Sequence, residues 1–258
     1  MTAQSTSVAC HNVVNTGRSR PMPSMYQANQ GTDEEEQTKL GYKVTEIDAP
    51  RTAVIVVDME NDFVAEGAPM ESAQAREAVP NMQKTLACAR ETGMKVIYTT
   101  HAHREDGCDV GRFADLYPPI ATKAGLVDGT AGVEIYPALA PAPGEVVVKR
   151  HRYSAFFGTD LDIILRGSGM ETVVVIGTTT ENCCHATARD AMFRDYFVVF
   201  LSDATGTFGY PDAGQGGMSA AEVHSATLKI LAFSTADVMT TEEFTAKARA
   251  SALVQERA

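Results

Sequence analysis

Short runs of β-branched residues alternate along the chain with longer amphipathic stretches. The runs lack polar alternation, which is typical of strands buried on both faces. They predict six strands, at 53–57, 95–100, 145–149, 172–177, 197–203 and 237–240. The stretches between them predict helices at 72–92, 161–166, 183–194, 218–233 and 242–251, the first of them ended by Gly93. Strands that alternate with helices predict an α/β fold with a parallel sheet covered on both faces.

The first 45 residues do not share this pattern. Residues 1–45 are polar, begin with a Ser/Thr-rich stretch, and contain the acidic run 33–36. Such a segment buries too little apolar surface to offset its ordering entropy. We therefore expect 1–45 to be an N-terminal arm that is flexible or clasps a neighbouring subunit, and 46–258 to form one folded domain.

Composition excludes several classes of partner. The 258 residues include 22 Lys and Arg against 33 Asp and Glu, a formal net charge of −11, which disfavours nucleic-acid binding. No apolar run approaches the roughly 18 residues of a membrane span, and the N-terminus lacks the apolar centre of a secretory signal. The five cysteines are odd in number and irregularly spaced, which predicts a reduced, cytoplasmic protein rather than a disulfide framework.

Reactive side chains follow three of the predicted strands. Asp58 ends the first strand, Lys149 and Arg150 end the third, and Cys183 and Cys184 stand where a helix begins after the fourth. Ligands of open parallel sheets bind beyond the carboxyl ends of the strands. A helix N-terminus favours the thiolate form of a cysteine, and a neighbouring carboxylate and cation supply a base and a second charge. The pattern predicts a cysteine nucleophile at this edge of the sheet.

Three segments carry a family resemblance over roughly residues 50–240. VVDMENDF, KRHRYSAFFGTDL and GTTTENCCHATARDA together resemble the isochorismatase-like cysteine hydrolases. The resemblance implies a Rossmann-like three-layer α/β/α domain with a mostly parallel six-stranded sheet. It also implies a catalytic Asp, Lys and Cys. Members of the family include nicotinamidases and N-carbamoylsarcosine, ureidoacrylate and biuret hydrolases.

The motifs transfer to this chain residue by residue. Asp58 matches the family aspartate, and Cys183, four residues before Thr187, matches the nucleophile, which leaves Cys184 as a packed neighbour. The family lysine lies four residues before the motif serine, a position that Arg150 occupies here. Because arginine does not give up its proton, we prefer Lys149 as the catalytic cation and expect Arg150 to contact substrate or solvent. The spacing alone favours Arg150.

The implied chemistry is acyl transfer to the cysteine, followed by hydrolysis. The oxyanion would be held by the N–H groups of Cys183 and Thr179, and the family shows a cis peptide where Thr178 joins Thr179. Water and a small-molecule substrate are the expected partners, and no cofactor is expected. Candidate substrate-binding residues are Phe63, His101, Arg150, Phe156 and Asn182.

Several alternatives remain open at this stage. The leading expectation is an amidohydrolase that releases ammonia from a small ureido or carbamoyl compound. A nicotinamidase would bind zinc near the second strand, but His101 stands where the D-x-H motif needs Asp, so we expect no metal at His101 and His103. A vinyl ether hydrolase and a catalytically inactive oligomeric scaffold are the other possibilities. We expect a homo-oligomer, either a dimer or a tetramer.

Overall fold

The sheet that the sequence predicts is present and entirely parallel. The computed structural model describes residues 43–255, with side chains to residue 253. Within these residues six strands pair in the order β3-β2-β1-β4-β5-β6, and every neighbouring pair is parallel. The strands are β1 (Thr52–Val57), β2 (Lys95–His101), β3 (Val146–Arg150), β4 (Thr172–Thr178), β5 (Phe197–Gly206) and β6 (Asp237–Met239). The predicted α/β fold is confirmed.

Helices connect the strands. They are α1 (Asn61–Val64), α2 (Ala73–Glu77), α3 (Val79–Thr92), α4 (Phe113–Leu116), α5 (Pro118–Ala121), α6 (Leu161–Gly167), α7 (His185–Met192), α8 (Ala220–Ser234) and α9 (Thr241–Gln255). The helix predicted at 72–92 is two helices, because Pro80 lies in the first turn of α3 and cannot donate a backbone hydrogen bond to a preceding turn. Gly93 ends α3 in the left-handed conformation, as predicted.

The apolar residues of the central strand divide between two cores. Val54 and Val56 pack on one face of β1, with Leu86 of α3 and Phe244 of α9. Ala53, Ile55 and Val57 pack on the other face, with Leu161 and Leu165 of α6, Ala188 of α7 and Leu231 of α8. Alternate residues of a strand point to opposite faces, so an unbroken apolar run can serve both cores. The result is a three-layer α/β/α domain.

The strand order reverses between β1 and β4. The chain runs outward from β1 to β2 and β3, then returns to β4 on the other side of β1. A crevice opens beyond the carboxyl ends of the strands at such a switch point. Asp58 follows β1 directly and Cys183 lies just after β4, so both border this crevice.

Close packing of β1 and β4 depends on Gly177. Its φ is +122°, and an added Cβ would lie 2.1 Å from the Val57 carbonyl oxygen. Only glycine adopts this conformation freely and permits this approach. The peptide bond between Thr178 and Thr179 that follows is cis, as the family resemblance predicts.

The proposed N-terminal arm falls almost wholly outside the described residues. Of its 45 residues, only 43–45 are described. Here the backbone N–H of Val44 donates to the buried carboxylate of Asp237 at 3.0 Å. The helices within the described part of the chain include none that is long and apolar enough to cross a membrane.

Candidate active site

Asp58 and Arg150 form a buried ion pair at the carboxyl ends of β1 and β3. Both side chains are fully buried. The Nε of Arg150 donates to Oδ1 of Asp58 at 3.0 Å, and its Nη2 pairs with Oδ2. Oδ1 also accepts from the Thr99 hydroxyl at 2.8 Å. A guanidinium that binds a carboxylate through two nitrogens fixes the orientation of both groups. Arg150 therefore holds the Asp58 carboxylate in place at the crevice.

Lys149 lies elsewhere, which corrects the preference stated from the sequence. Its side chain is about half exposed and binds Asp128 at 2.6 Å. Along β3 the inward positions are Val148 and Arg150, and Lys149 between them points outward. The two-residue period of a strand therefore gives Arg150 the position beside Asp58. Arg150 is an internal ion-pair residue rather than a surface or substrate contact.

Cys183 lies in the π-helical turn Thr180–Cys184, which leads into α7. Its side chain is 3% exposed. The Cys183 Sγ, one carboxylate oxygen of Asp58 and one ring nitrogen of His101 lie within 4.8 Å of one another. Cys184 is fully buried in the core, and burial raises the pKa of its thiol well above the usual value. The structure thus brings Cys183, and not Cys184, to the acid.

A small cavity, about 20 Å³ in volume, opens beside the Cys183 thiol. Its lining includes three further residues predicted from the sequence, Phe63, His101 and Asn182, together with Thr179. The Thr179 hydroxyl is buried and has no hydrogen-bond partner among the described residues. The structure therefore brings these three residues together with Cys183 around one cavity.

Phe156 does not line this cavity, which corrects its assignment as a substrate contact. It is 5% exposed and packs in the core on the α6 and α7 side of the sheet. Its ring lies 6.1 Å from that of Tyr196, and the Arg194 guanidinium carbon lies 4.9 Å above it. Phe156 lies two residues after Ser154 of the family motif. This position in the sequence does not bring its ring into the cavity, because the chain turns away after β3.

A chain of histidines extends from Arg150 toward the surface. His101 Nδ1 lies 3.4 Å from Arg150 Nη1, and its Nε2 lies 3.1 Å from Nε2 of His103. His103 Nδ1 lies 3.5 Å from Asp109. Burial, reinforced by the neighbouring His103, lowers the pKa of His101 to about 3. His101 is therefore uncharged at neutral pH.

Among the described residues, His103, Asp109 and His151 form a second group of side chains that could hold a metal ion. His151 Nδ1 lies 2.5 Å from the Ala102 carbonyl oxygen, which only accepts hydrogen bonds. That nitrogen carries the proton and has no lone pair for a metal. His103 Nε2 lies 3.1 Å from His101 Nε2, whereas His103 Nδ1 is buried and has no hydrogen-bond partner among the described residues.

Glu60 is a second buried acid at the carboxyl end of β1. Its Oε2 accepts from the backbone N–H of His101 at 3.1 Å. Burial raises the pKa of the Glu60 carboxyl well above its usual value despite this hydrogen bond. Burial therefore favours the protonated form of Glu60 beside the strand that carries His101.

Glu181 fastens the segment 207–219 over the cavity. Its carboxylate accepts from the Tyr210 hydroxyl at 2.7 Å, from Asn182 Nδ2 at 3.1 Å and from the Thr207 hydroxyl at 2.5 Å. A backbone bridge between Tyr210 and Met218 closes this segment into a hairpin. The hairpin holds Phe208 in the cavity wall.

Comparisons with known proteins agree with this geometry. A model of the isochorismatase domain matches residues 52–243. The chain belongs to the isochorismatase family. It is 35% identical over 179 residues to a ureidoacrylate amidohydrolase RutB of Rhizobium rhizogenes, covering 62% of this chain and 72% of that protein.

Two solved structures show the same architecture. A cysteine hydrolase from Pseudomonas syringae pv. phaseolicola superposes with a TM-score of 0.78 at 39% identity, covering 82% of this chain and 98% of the other. N-carbamoylsarcosine amidase from Thermoplasma acidophilum gives 0.58 at 27% identity, covering 74% and 97%. The expected family and the expectation of a hydrolase are confirmed.

Sequence reasoning missed several residues of this isochorismatase-family site. Thr99 and Glu60 stand at strand ends, where the same rule that found Asp58 applies. Tyr153 lies inside a recognised motif, and its hydroxyl lies 2.9 Å from that of Tyr117 in the cavity wall. The other wall residues come from a short helix and from irregular segments whose course has no sequence signal: Ile120, and Met70, Leu126 and Phe208.

Proposed function

We propose that this isochorismatase-family hydrolase is a cysteine-dependent amidohydrolase that releases ammonia from a small ureido or carbamoyl compound. The observation that carries the proposal is the meeting of the Cys183 thiol with the Arg150-bound carboxylate of Asp58 at the base of a cavity. Relatives named ureidoacrylate amidohydrolase and N-carbamoylsarcosine amidase support this substrate class.

In the proposed reaction Asp58 removes the thiol proton and the Cys183 thiolate attacks the carbonyl carbon. The N–H groups of Thr179 and Cys183 stabilise the oxyanion. The C–N bond then breaks, and the nitrogen leaves as ammonia with the proton held by Asp58. Water, deprotonated by Asp58, hydrolyses the thioester and restores the thiol. For a ureido substrate the acid product is a carbamate, which loses carbon dioxide.

Arg150 replaces the expected lysine in this scheme. Its guanidinium keeps its charge throughout the working pH range, whereas a lysine ammonium can lose its proton. Its fork on Asp58 keeps the acid aimed at the thiol while Asp58 alternates between carboxylate and carboxylic acid. We therefore assign Arg150 as the positioning cation, and Lys149 has no part in the reaction.

The test is an ammonia-release screen over ureas, carbamoyl amino acids, biuret-like compounds and nicotinamide. Cys183→Ser and Asp58→Asn are expected to lose turnover at least about 100-fold, while Cys184→Ala, which removes a packed thiol, keeps it. Full turnover by both site variants would refute the proposal.

Alkylation by iodoacetamide adds an independent measurement, read at each cysteine by peptide mass. Cys108 is an exposed internal reference, and a hydrogen bond with Asp106 raises the pKa of its thiol. An activated Cys183 is expected to react faster than Cys108 although it is almost buried. A sluggish Cys183 together with absent turnover would instead favour the inactive scaffold.

A further inference from the structure

The cavity beside Cys183 is enclosed mainly by hydrocarbon. Side chains of Phe63, Met70, Ile120, Leu126 and Phe208 form most of its wall. Phe63, Ile120 and Leu126 are almost completely buried. A substituent of the substrate that enters this cavity leaves water and contacts aromatic rings and aliphatic chains. Each methylene that it buries there favours binding, because it leaves water for an apolar surrounding.

The polar groups in the wall are uncharged. Asn182 presents an amide, Thr179 a buried hydroxyl without a described partner, and Tyr117 and Tyr153 a pair of hydroxyls bonded to each other. Among the described residues His101 supplies the one imidazole of the wall. Burial keeps this ring neutral because it lowers the pKa of His101 to about 3. These groups can hydrogen-bond a carbonyl or an amide, but they supply no positive charge.

The cations closest in sequence to the site are committed to other partners. Arg150 is forked on Asp58 and also donates to the Arg152 carbonyl oxygen. Arg152 donates to the carbonyl oxygens of Asp109 and His151. Within the described part of the chain, no arginine or lysine lines the cavity.

An acidic residue precedes Asn182 of the cavity wall. Glu181, next to Asn182, holds the hairpin by its carboxylate. A substrate carboxylate in this cavity would lose its hydration, gain no counter-charge and be repelled by Glu181. Burying an unpaired charge is strongly unfavourable.

We propose that the substrate is an electrically neutral ureide or amide whose non-reacting substituent is a small apolar group. The inference rests on the proposed function and narrows its substrate class. The compounds in the names of two relatives, ureidoacrylate and N-carbamoylsarcosine, are both carboxylates. This chain differs from those proteins in the charge of its preferred substrate, not in the bond it cleaves.

Propylurea and 3-ureidopropionate form a matched test pair, since they share the reacting group and differ only by methyl against carboxylate at the chain end. The wild-type protein is expected to show kcat/KM at least about 10-fold higher for propylurea. Met70→Lys, which adds a flexible cation to the wall, is expected to shift the ratio toward 3-ureidopropionate. Met70→Gln is the control of similar size. Equal or greater efficiency toward 3-ureidopropionate in the wild type would overturn the inference.

A second measurement does not require turnover. Iodoacetamide is neutral and iodoacetate carries a negative charge. The ratio of the alkylation rate with iodoacetamide to that with iodoacetate is measured at Cys183 and divided by the same ratio at exposed Cys108. The quotient reports how strongly the cavity prefers the neutral reagent. We expect this quotient to exceed about 10. A quotient of one or less, with Cys183 reactive, overturns the charge inference and leaves the proposed function standing. A Cys183 inert to both reagents, with neither urea cleaved, refutes the proposed function and this inference with it.

Discussion

Replacing Arg150 by methionine is expected to destabilise the protein strongly. Methionine has a similar length but removes the charge, leaving the fully buried carboxylate of Asp58 with only the Thr99 hydroxyl as its side-chain donor. Breaking a buried ion pair on one side costs about 3–5 kcal/mol. For a domain of this size each kcal/mol lowers Tm by about 2–4 °C, so we expect a decrease of about 6–20 °C.

The matched control is Lys149→Met, one residue earlier in β3. Lys149 is about half exposed and its pair with Asp128 is solvated, so we expect a cost of about 0–1 kcal/mol. Both variants are measured by thermal and urea unfolding at pH 7. Adding Asp58→Asn to Arg150→Met should recover part of the loss, because the unpaired charge disappears.

A variant that restores the positive charge at position 150 offers a further check. Arg150→Lys keeps the charge but not the fork, and should lie between wild type and Arg150→Met. If Lys149→Met proves as costly as Arg150→Met, or the double variant loses the full sum of its two single changes, the assignment of the ion pair is wrong.

Three other predictions follow from single contacts. His101→Gln should gain stability relative to wild type by about 3 kcal/mol as the pH falls from 6.5 to 4. In this range His101 of the unfolded wild type takes up a proton. Folded His101 does not, because its pKa is near 3. Buried Glu60 acts in the opposite direction but equally in both proteins, so a constant difference in urea unfolding would contradict the prediction. Gly177→Ala should cost on the order of 3 kcal/mol or leave the protein unfolded, since its Cβ would meet Val57. The control is Gly169→Ala, where φ is +71° but the added Cβ meets open space, and it should cost only about 1–2 kcal/mol. Equal Tm losses for the two variants would contradict the close approach of Gly177 to Val57. Glu181→Gln should weaken the hairpin by about 1–2 kcal/mol, seen as roughly 5–30-fold faster amide hydrogen exchange in 207–219; unchanged exchange would show that these hydrogen bonds do not hold it.

The position of Arg150 shows where sequence reasoning reached its limit. Motif spacing pointed to this residue, whereas chemical analogy pointed to Lys149. The inward face of β3 decides between them, and this face is set by pairing with β2, where His101 stands opposite Arg150. The register of an edge strand depends on its neighbour and on packing beneath it. Neither the neighbouring strand nor this packing can be predicted from the five residues of β3 alone.

Hydrophobic periodicity alone determined the six strands, most of the helices and the edge at which reactive residues gather. These features follow from local patterns, because a buried strand and a helix end each have a sequence signature. Tertiary structure alone decided which cation meets Asp58, that Phe156 leaves the site, and that Tyr117, Leu126 and Phe208 enclose the cavity. Those outcomes depend on contacts between segments far apart in the chain, whose course is fixed only when the two cores are packed.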